Sequence, residues 1–131
     1  MRDWEKAGMW ANLGARIVEL RPGEAVVEAT LTPEAHGFLS PRGTIVHGGA
    51  LAALADMALA SAAAALVNEG ESVATVDLKV DFLRPGRPGR LLARSSMRKR
   101  ARHLGFAEAS LEQEDGTVVV EARAVLAFMS A

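Results

Sequence analysis

The sequence predicts an α+β fold in which one antiparallel sheet wraps around a single long apolar helix. Residues 48–67 contain ten alanines and one charged residue, so a helix over this range is buried on every side. Four strand-like segments follow it, and the short turns between them favour antiparallel pairing. An antiparallel sheet commonly has one apolar face, which such a helix can cover.

The segment before the long helix is predicted to contain a short helix, two strands and a loop. Residues 3–13 can place Trp4, Met9 and Trp10 on one broad face, and Gly14 ends this amphipathic helix. Residues 16–20 and 24–32 flank Arg-Pro-Gly and form strands around a turn. Residues 32–44 carry two prolines and two glycines, so we expect a loop with His36 on its surface.

After Gly70 the hydrophobic period changes from that of a helix to that of a strand. Residues 73–82 alternate apolar and polar, which predicts a half-buried strand with Ala74, Val76 and Leu78 on the apolar face. Further strands are predicted over 91–101, 105–113 and 117–129. We therefore expect residues 1–131 to form a single domain, with a helical segment over 1–14 and the sheet-and-helix core over 15–131.

Composition excludes several classes of function. There are 15 basic and 16 acidic residues, so bulk charge indicates no partner. The absence of cysteine excludes disulfides, zinc–thiolate sites and a cysteine nucleophile, and we expect no metal site. The first residues lack the pattern of a secretory signal, and Asp56 with the many alanines disfavours a membrane span, so we expect a cytoplasmic protein.

The start and the middle of the long helix carry the most informative residues. Gly48 and Gly49 leave helix N-terminal amides uncovered, which suits a carboxylate, a phosphate or a developing oxyanion, although an ordinary glycine-rich helix entry looks the same. Asp56 lies among apolar residues and needs a polar cavity or a partner, which a structural hydrogen bond would also provide.

Helix geometry restricts how Gly48 and Asp56 can cooperate. They are eight residues apart, about 12 Å along one helix. One carbonyl group therefore cannot contact both from the same chain. Either their roles are unrelated, or two antiparallel copies of the helix build a site shared between subunits.

A strongly basic stretch lies between Arg84 and His103. It holds eight of the fifteen basic residues and no acidic one. Arginine matches phosphate geometry, but the stretch lacks aromatic residues for base stacking, so a small molecule with a polyphosphate group fits better than nucleic acid. A solvated strand face is the alternative.

These motifs together resemble those of the hotdog-fold acyl-CoA thioesterases, most closely the phenylacetate-pathway (PaaI-type) branch. The residues that carry the resemblance are His47-Gly48-Gly49, the acid nine positions after His47, Thr75-Val76-Asp77-Leu78 and Phe82-Leu83-Arg84-Pro85. A hotdog fold is a long central helix wrapped by a curved antiparallel β-sheet, which agrees with the fold inferred above.

The resemblance implies a role for each site residue. The Gly48 amide would polarise the thioester carbonyl, His47 would shape the helix entry, and Asp56 of the partner chain would act as nucleophile or general base. Thr75 would hold the water or the carboxylate. The coenzyme A phosphates would meet a basic group: Arg84, Arg98, Lys99, Arg100, Arg102 and His103. No cofactor is implied because the coenzyme A thioester is the substrate, and the family assembles as a dimer or a dimer of dimers.

One position departs from the family pattern. Many members carry an asparagine shortly before the histidine, whereas residues 38–43 have none, and Ser40 is the polar substitute. The alternatives are therefore an acyl-thioester hydratase or dehydratase, with His47 as acid or base, and a non-catalytic acyl-CoA-binding protein. Four apolar residues are near the site: Phe38, Leu39, Met57 and Phe82. They indicate a substrate with a small aromatic or medium-chain acyl group.

Overall fold

A six-stranded antiparallel sheet wraps around one long helix in the computed structural model, which describes residues 3–130. Residues 1, 2 and 131 of the predicted domain lie outside the described residues. The elements in chain order are a 3-10 helix (Asp3–Lys6), α1 (Gly8–Asn12), β1 (Arg16–Arg21), β2 (Glu24–Leu31), α2 (Pro33–His36), β3 (Gly37–Ser40), β4 (Gly43–Val46), α3 (Gly48–Ala64), β5 (Glu71–Phe82), β6 (Gly89–Arg100), β7 (Leu104–Gln113) and β8 (Val118–Ser130).

The order of the strands leaves β5 at one edge of the sheet. The order is β1-β2-β6-β7-β8-β5, and every neighbouring pair is antiparallel. The strand that directly follows α3 therefore pairs only with β8, the last strand of the chain. The predicted α+β class, with a curved antiparallel sheet around a central helix, is confirmed.

Helix α3 forms the centre of the core. Leu54, Ala58 and Leu59 are fully buried, and the many alanines let the sheet approach the helix closely. Ser95 Oγ of β6 donates a hydrogen bond to the Ala58 carbonyl at 2.6 Å, which ties the sheet to the helix. The helix ends at Ala64, three residues before the predicted end, where a turn leads into β5.

The segment predicted as a loop over residues 32–44 is ordered secondary structure, so that prediction was wrong. Pro33 occupies the first turn of α2, where proline is favoured, and Thr32 caps it. The β3–β4 hairpin follows. His36 is buried rather than on the surface: its Nδ1 accepts from the Thr32 amide at 2.9 Å, so its Nε2 is assigned the proton and donates to Asn12 Oδ1 at 3.0 Å.

The predicted N-terminal helix is split into two short helices. The break falls at Ala7, directly before Gly8, whose φ of 60° lies in the left-handed region that favours glycine. Glu5 is buried and accepts a hydrogen bond from the Ile17 amide at 2.7 Å. This contact holds the first helical turn against β1.

A β-bulge in β5 reverses the predicted orientation of its first half. The pairing with β8 passes from Thr75–Leu126 to Asp77–Val125, so Val76 is an extra residue in β5. As a result Ala74 and Val76 are exposed, contrary to the alternation, and Thr75 is half-buried on the face toward α3. Beyond the bulge the predicted alternation holds from Leu78 to Asp81, whereas Phe82 at the end of the strand is 53% exposed.

The buried centre of α3 should dominate the stability of the fold. We expect Leu54→Ala to reduce the free energy of unfolding by about 2–5 kcal/mol, because it removes a fully buried side chain and leaves a cavity. Leu39→Ala is the matched control, since Leu39 is 82% exposed, and it should change stability by at most about 0.5 kcal/mol. Urea unfolding of both variants checks this, and equal losses would contradict the assigned core.

Candidate active site

The first turn of α3 presents free backbone amides. His47 is the N-cap, with extended backbone angles, and its own amide donates to the His36 carbonyl at 2.8 Å. Within residues 3–130 the Gly48 amide has no hydrogen-bond acceptor. Gly48 is half-buried, and a Cβ there would lie 3.2 Å from the ring of Phe82 at the end of β5. A free donor at the positive end of a helix dipole can bind an oxyanion.

Asp56 lies in the middle of α3 and is half-buried. Its Oδ1 accepts a hydrogen bond from Thr75 Oγ1 at 2.7 Å, a contact that the β5 bulge makes possible. No donor from the described residues contacts Oδ2. Thr75 therefore orients the carboxylate and leaves one oxygen able to contact water or substrate.

An apolar cavity of about 400 Å³ borders Asp56. Four apolar residues are predicted from the sequence to contact the acyl group of the substrate. Of these, Met57 lines the cavity, whereas Phe38, Leu39 and Phe82 do not. The hydrophobic pattern places Trp4 and Trp10 on one helix face but carries no signal for their position beside Asp56. The remaining lining residues come from the N-terminal segment, β1, α3 and β5: Trp4, Trp10, Ile17, Leu20, Ala60, Ser61, Ala64, Ala65 and Val73.

A larger hollow of about 790 Å³ lies over the sheet and has a different character. Its charged lining residues project from the face opposite α3, among them Glu24, Arg94, Glu108 and Arg123. Neither Asp56 nor Gly48 borders it. Of these two cavities, the smaller one is therefore the one that the Asp56 carboxylate can use.

Two of the predicted site residues make structural contacts. The His47 ring is exposed and packs on Phe38 with 4.7 Å between ring centroids. Ser40 Oγ donates to the Gly43 carbonyl at 2.7 Å and accepts from the Arg42 amide at 3.1 Å. The Ser40 hydroxyl therefore closes the β3–β4 turn, and its role as the substitute for the family's asparagine stays a prediction.

Acidic residues from neighbouring strands neutralise much of the basic stretch. Arg90 pairs with Glu28, Arg94 with Glu112 and Arg98 with Glu108, at 2.8–3.0 Å. Arg100 makes two contacts with the Glu71 carboxylate, at 2.9 and 3.0 Å, and also donates to the Leu66 carbonyl at 2.6 Å. The apparent absence of acids around these arginines is thus a property of the sequence and not of the folded surface.

Within one chain the six predicted phosphate contacts form two separate groups. Arg84 follows β5 and donates to the Val118 carbonyl at 2.6 Å. Residues 98–103 lie at the end of β6 and in the β6–β7 turn, at the same end of the sheet as the start of β5. By strand register, this group is about 27 Å from Arg84, which follows the other end of β5. Lys99, Arg102 and His103 are exposed, and their side chains have no hydrogen bond or ion pair within residues 3–130.

A sheet-wrapped helix with free N-terminal amides and a mid-helix carboxylate beside an apolar cavity defines the class of hotdog-fold thioester hydrolases. The chain belongs to the thioesterase superfamily, whose family model matches residues 43–120. It is a thioesterase of the PaaI type and a thioester hydrolase.

A relative matched by sequence and two solved structures support this assignment. The chain is 33% identical over 94 residues to the medium/long-chain acyl-CoA thioesterase YigI of Salmonella typhimurium, an alignment that covers 62% of this chain and 61% of YigI. The PaaI protein of the E. coli phenylacetic acid degradation operon is 27% identical, with a TM-score of 0.85 over 98% of this chain and 88% of PaaI. A thioesterase family protein from Silicibacter pomeroyi is 28% identical, with a TM-score of 0.86 over 98% and 93% of the two chains.

Two further properties follow from residues 3–130. No cluster of three histidine, aspartate or glutamate side chains is arranged to hold a metal ion in this part of the chain. None of the helices described there has the length and apolar character needed to cross a membrane.

The contact between Glu71 and Arg100 should make stability depend on pH. The Asn68 backbone amide, followed by the Arg100 guanidinium, holds the pKa of the Glu71 carboxyl below its usual value. The stabilisation is therefore present above the unfolded pKa of about 4.3 and is lost as pH falls through the lower folded-state pKa. We expect Glu71→Gln to lower the melting temperature at neutral pH and to flatten its acid dependence.

Thermal unfolding between neutral and acid pH measures this effect. Glu69→Gln is the control, because it removes the same charge from the exposed turn before β5. Melting curves of Glu71→Gln that run parallel to those of the wild type at every pH would contradict the assignment.

Proposed function

We propose that the protein hydrolyses acyl-CoA thioesters with a small aromatic or medium-chain acyl group. The observation that carries the proposal is the Asp56 carboxylate, which Thr75 orients at 2.7 Å beside an apolar cavity. The names of two relatives support the substrate class: YigI is a medium/long-chain acyl-CoA thioesterase, and PaaI comes from a phenylacetic acid degradation operon.

In this proposal two groups carry the reaction steps. The Gly48 amide hydrogen-bonds the thioester oxygen and stabilises the negative charge that develops on it. Asp56 accepts a proton from water as the water oxygen attacks the carbonyl carbon, or attacks that carbon itself. The carbon–sulfur bond then breaks, and the thiolate departs without needing a strong acid. If Asp56 attacks the carbon itself, this leaves an acyl–aspartyl anhydride, which water then hydrolyses to release the acid and restore the carboxylate.

The active site is shared between two chains in this proposal. Asp56 contacts Thr75 near the start of β5, whereas Gly48 packs against Phe82 at its end. Because β5 is an open edge, a second copy can pair with it in the antiparallel sense. Such pairing brings the start of one β5 next to the end of the other, and with it the Asp56 of one chain next to the Gly48 of the other.

Charge distinguishes two neighbouring registers for this pairing. A twofold axis at Leu78 places Asp77 opposite Lys79 of the second chain, whereas an axis at Lys79 would place Asp77 opposite Asp81. If the bulge at Val76 adds its extra residue on this edge too, the Leu78 axis sets Val73 against the second chain's Phe82. Both of these side chains face α3.

The same register brings the two basic groups together. Continuing it by two residues places Arg84 of the second chain opposite Glu71, the partner of Arg100 and thus a neighbour of the β6–β7 turn. The coenzyme A phosphates would then meet Arg84 from one chain, and Lys99, Arg102 and His103 from the other. Arg84 and the residues of the β6–β7 turn, which lie far apart within one chain, would therefore lie close together across the dimer.

The structural observations bear differently on the two alternative functions. A hydratase or dehydratase needs the His47 ring in the site, and in this chain that ring packs on Phe38. A non-catalytic acyl-CoA-binding protein is favoured by Ser40, whose hydroxyl closes the β3–β4 turn. Turnover measurements with site variants separate these functions from hydrolysis.

Removal of either catalytic group should abolish hydrolysis without loss of the fold. We expect Asp56→Asn to reduce kcat for thiol release from acyl-CoA by about 10²–10⁴. Gly48→Pro removes only the amide proton, since proline is favoured at the first helical position and His47 is already extended, and should reduce kcat by about 10²–10³.

Gly48→Ala is the matched control for the proline variant. It adds a Cβ at the same 3.2 Å from Phe82 but keeps the amide, so it should retain most of the activity. A thiol reagent measures hydrolysis over a panel of acyl-CoA substrates. No release by the wild type from any of them, or full activity of Asp56→Asn, would contradict the proposed function.

Mixing the two inactive variants tests the shared site. A mixed dimer of Asp56→Asn and Gly48→Pro holds one site with both intact groups, so an equimolar mixture refolded together should recover about a quarter of the wild-type activity. Each variant refolded alone is the control. No recovery, despite mixed dimers detected by mass spectrometry, would show that both groups act within one chain.

A further inference from the structure

The cavity beside Asp56 has two walls of opposite character. Beyond Met57, α3 contributes small side chains to one side, with Ala60 and Ala64 lining the cavity. On the other side the N-terminal segment, defined as residues 3–12, contributes Trp4 and Trp10. Since alanine methyl groups leave the helix surface flat, the two indole rings are the bulky groups that face this part of the helix.

The two indoles are held as a unit. Their ring centroids are 4.6 Å apart at an interplanar angle of 71°, an edge-to-face contact. The buried Glu5 anchors the start of the segment through the Ile17 amide. At its other end the Trp10 carbonyl accepts a hydrogen bond from the Ala15 amide at 2.8 Å. The wall is therefore attached beside each indole, to Ile17 of β1 and to Ala15 just before β1.

We propose that the N-terminal segment is the outer wall of the acyl pocket and that Trp4 and Trp10 determine which acyl groups the enzyme accepts. This inference rests on the proposed acyl-CoA hydrolysis and adds its specificity-determining residues. With its carbonyl at Asp56, the acyl group extends between the alanines of α3 and the indoles. A flat ring or a short chain fits this space, and a longer chain meets the tryptophan wall.

The first test is the acyl-group profile of kcat/KM over aromatic and straight-chain acyl-CoA substrates. We expect Trp4→Ala to raise the ratio of long-chain to short-chain activity by at least about tenfold, since a truncated wall admits further methylenes. Trp4→Phe should give an intermediate ratio. Trp4 is 48% exposed, so its truncation leaves the core intact, whereas Trp10 packs against it.

Met9→Ala is the matched control for this test. Met9 lies on the same short helix as Trp10, is 56% exposed and does not line the cavity, so its variant should keep the wild-type profile. A Trp4→Ala profile that parallels the wild type, with activity retained, would overturn the inference and leave the proposed function standing.

The second test does not depend on turnover. The chain contains two tryptophans, and both line this cavity, so intrinsic fluorescence reports on it directly. We expect acyl-CoA to change the emission of Asp56→Ala in a saturable way, and free coenzyme A to change it much less. Equal changes with both ligands, or none with acyl-CoA, would overturn the inference. A specific change, together with a wild-type protein that hydrolyses none of the acyl-CoA substrates, would instead contradict the proposed function alone.

Discussion

Helix α3 is apolar on every side, and the rest of the structure follows from the need to cover it. Its alanines let β2, β6, β7 and β8 lie close around it, and its leucines fill the space between. The sheet ends at β5, and the N-terminal segment approaches the helix from the opposite edge, where β1 lies. Asp56 faces the cavity between these two edges. There its carboxylate is not enclosed by apolar side chains and keeps its hydrogen bond from Thr75.

A single extra residue in β5 decides whether Asp56 has a partner. In a regular strand, Thr75 would lie on the face opposite Leu78, away from the helix. The bulge at Val76 reverses this relation, so that Thr75 and Leu78 share the inner face and the Thr75 hydroxyl reaches the carboxylate. The cost is the exposure of Val76, which is 62% exposed on an edge strand.

Periodicity along the chain predicted the long helix and the six strands of the main sheet. Residue type and position within that helix drew attention to the Gly48 amide and the Asp56 carboxylate. These features are local, because each depends on residues close in sequence. The β3–β4 hairpin was missed because its four-residue strands are too short to show a period. The bulge, the cross-strand ion pairs of Arg94 and Arg98 and the burial of His36 all depend on register or packing between distant segments.

The edge of β5 links the stability of the fold to the chemistry proposed for it. An open twelve-residue edge is an aggregation hazard unless it is covered or interrupted. One chain also cannot bring its own Gly48 to its own Asp56, because the helix that carries both holds them about 12 Å apart. Pairing of two β5 strands would meet both requirements with the same hydrogen bonds. Under the proposed mechanism, a monomer would therefore have two defects: the edge of β5 would be uncovered, and its catalytic site would lack the Gly48 amide of a second chain.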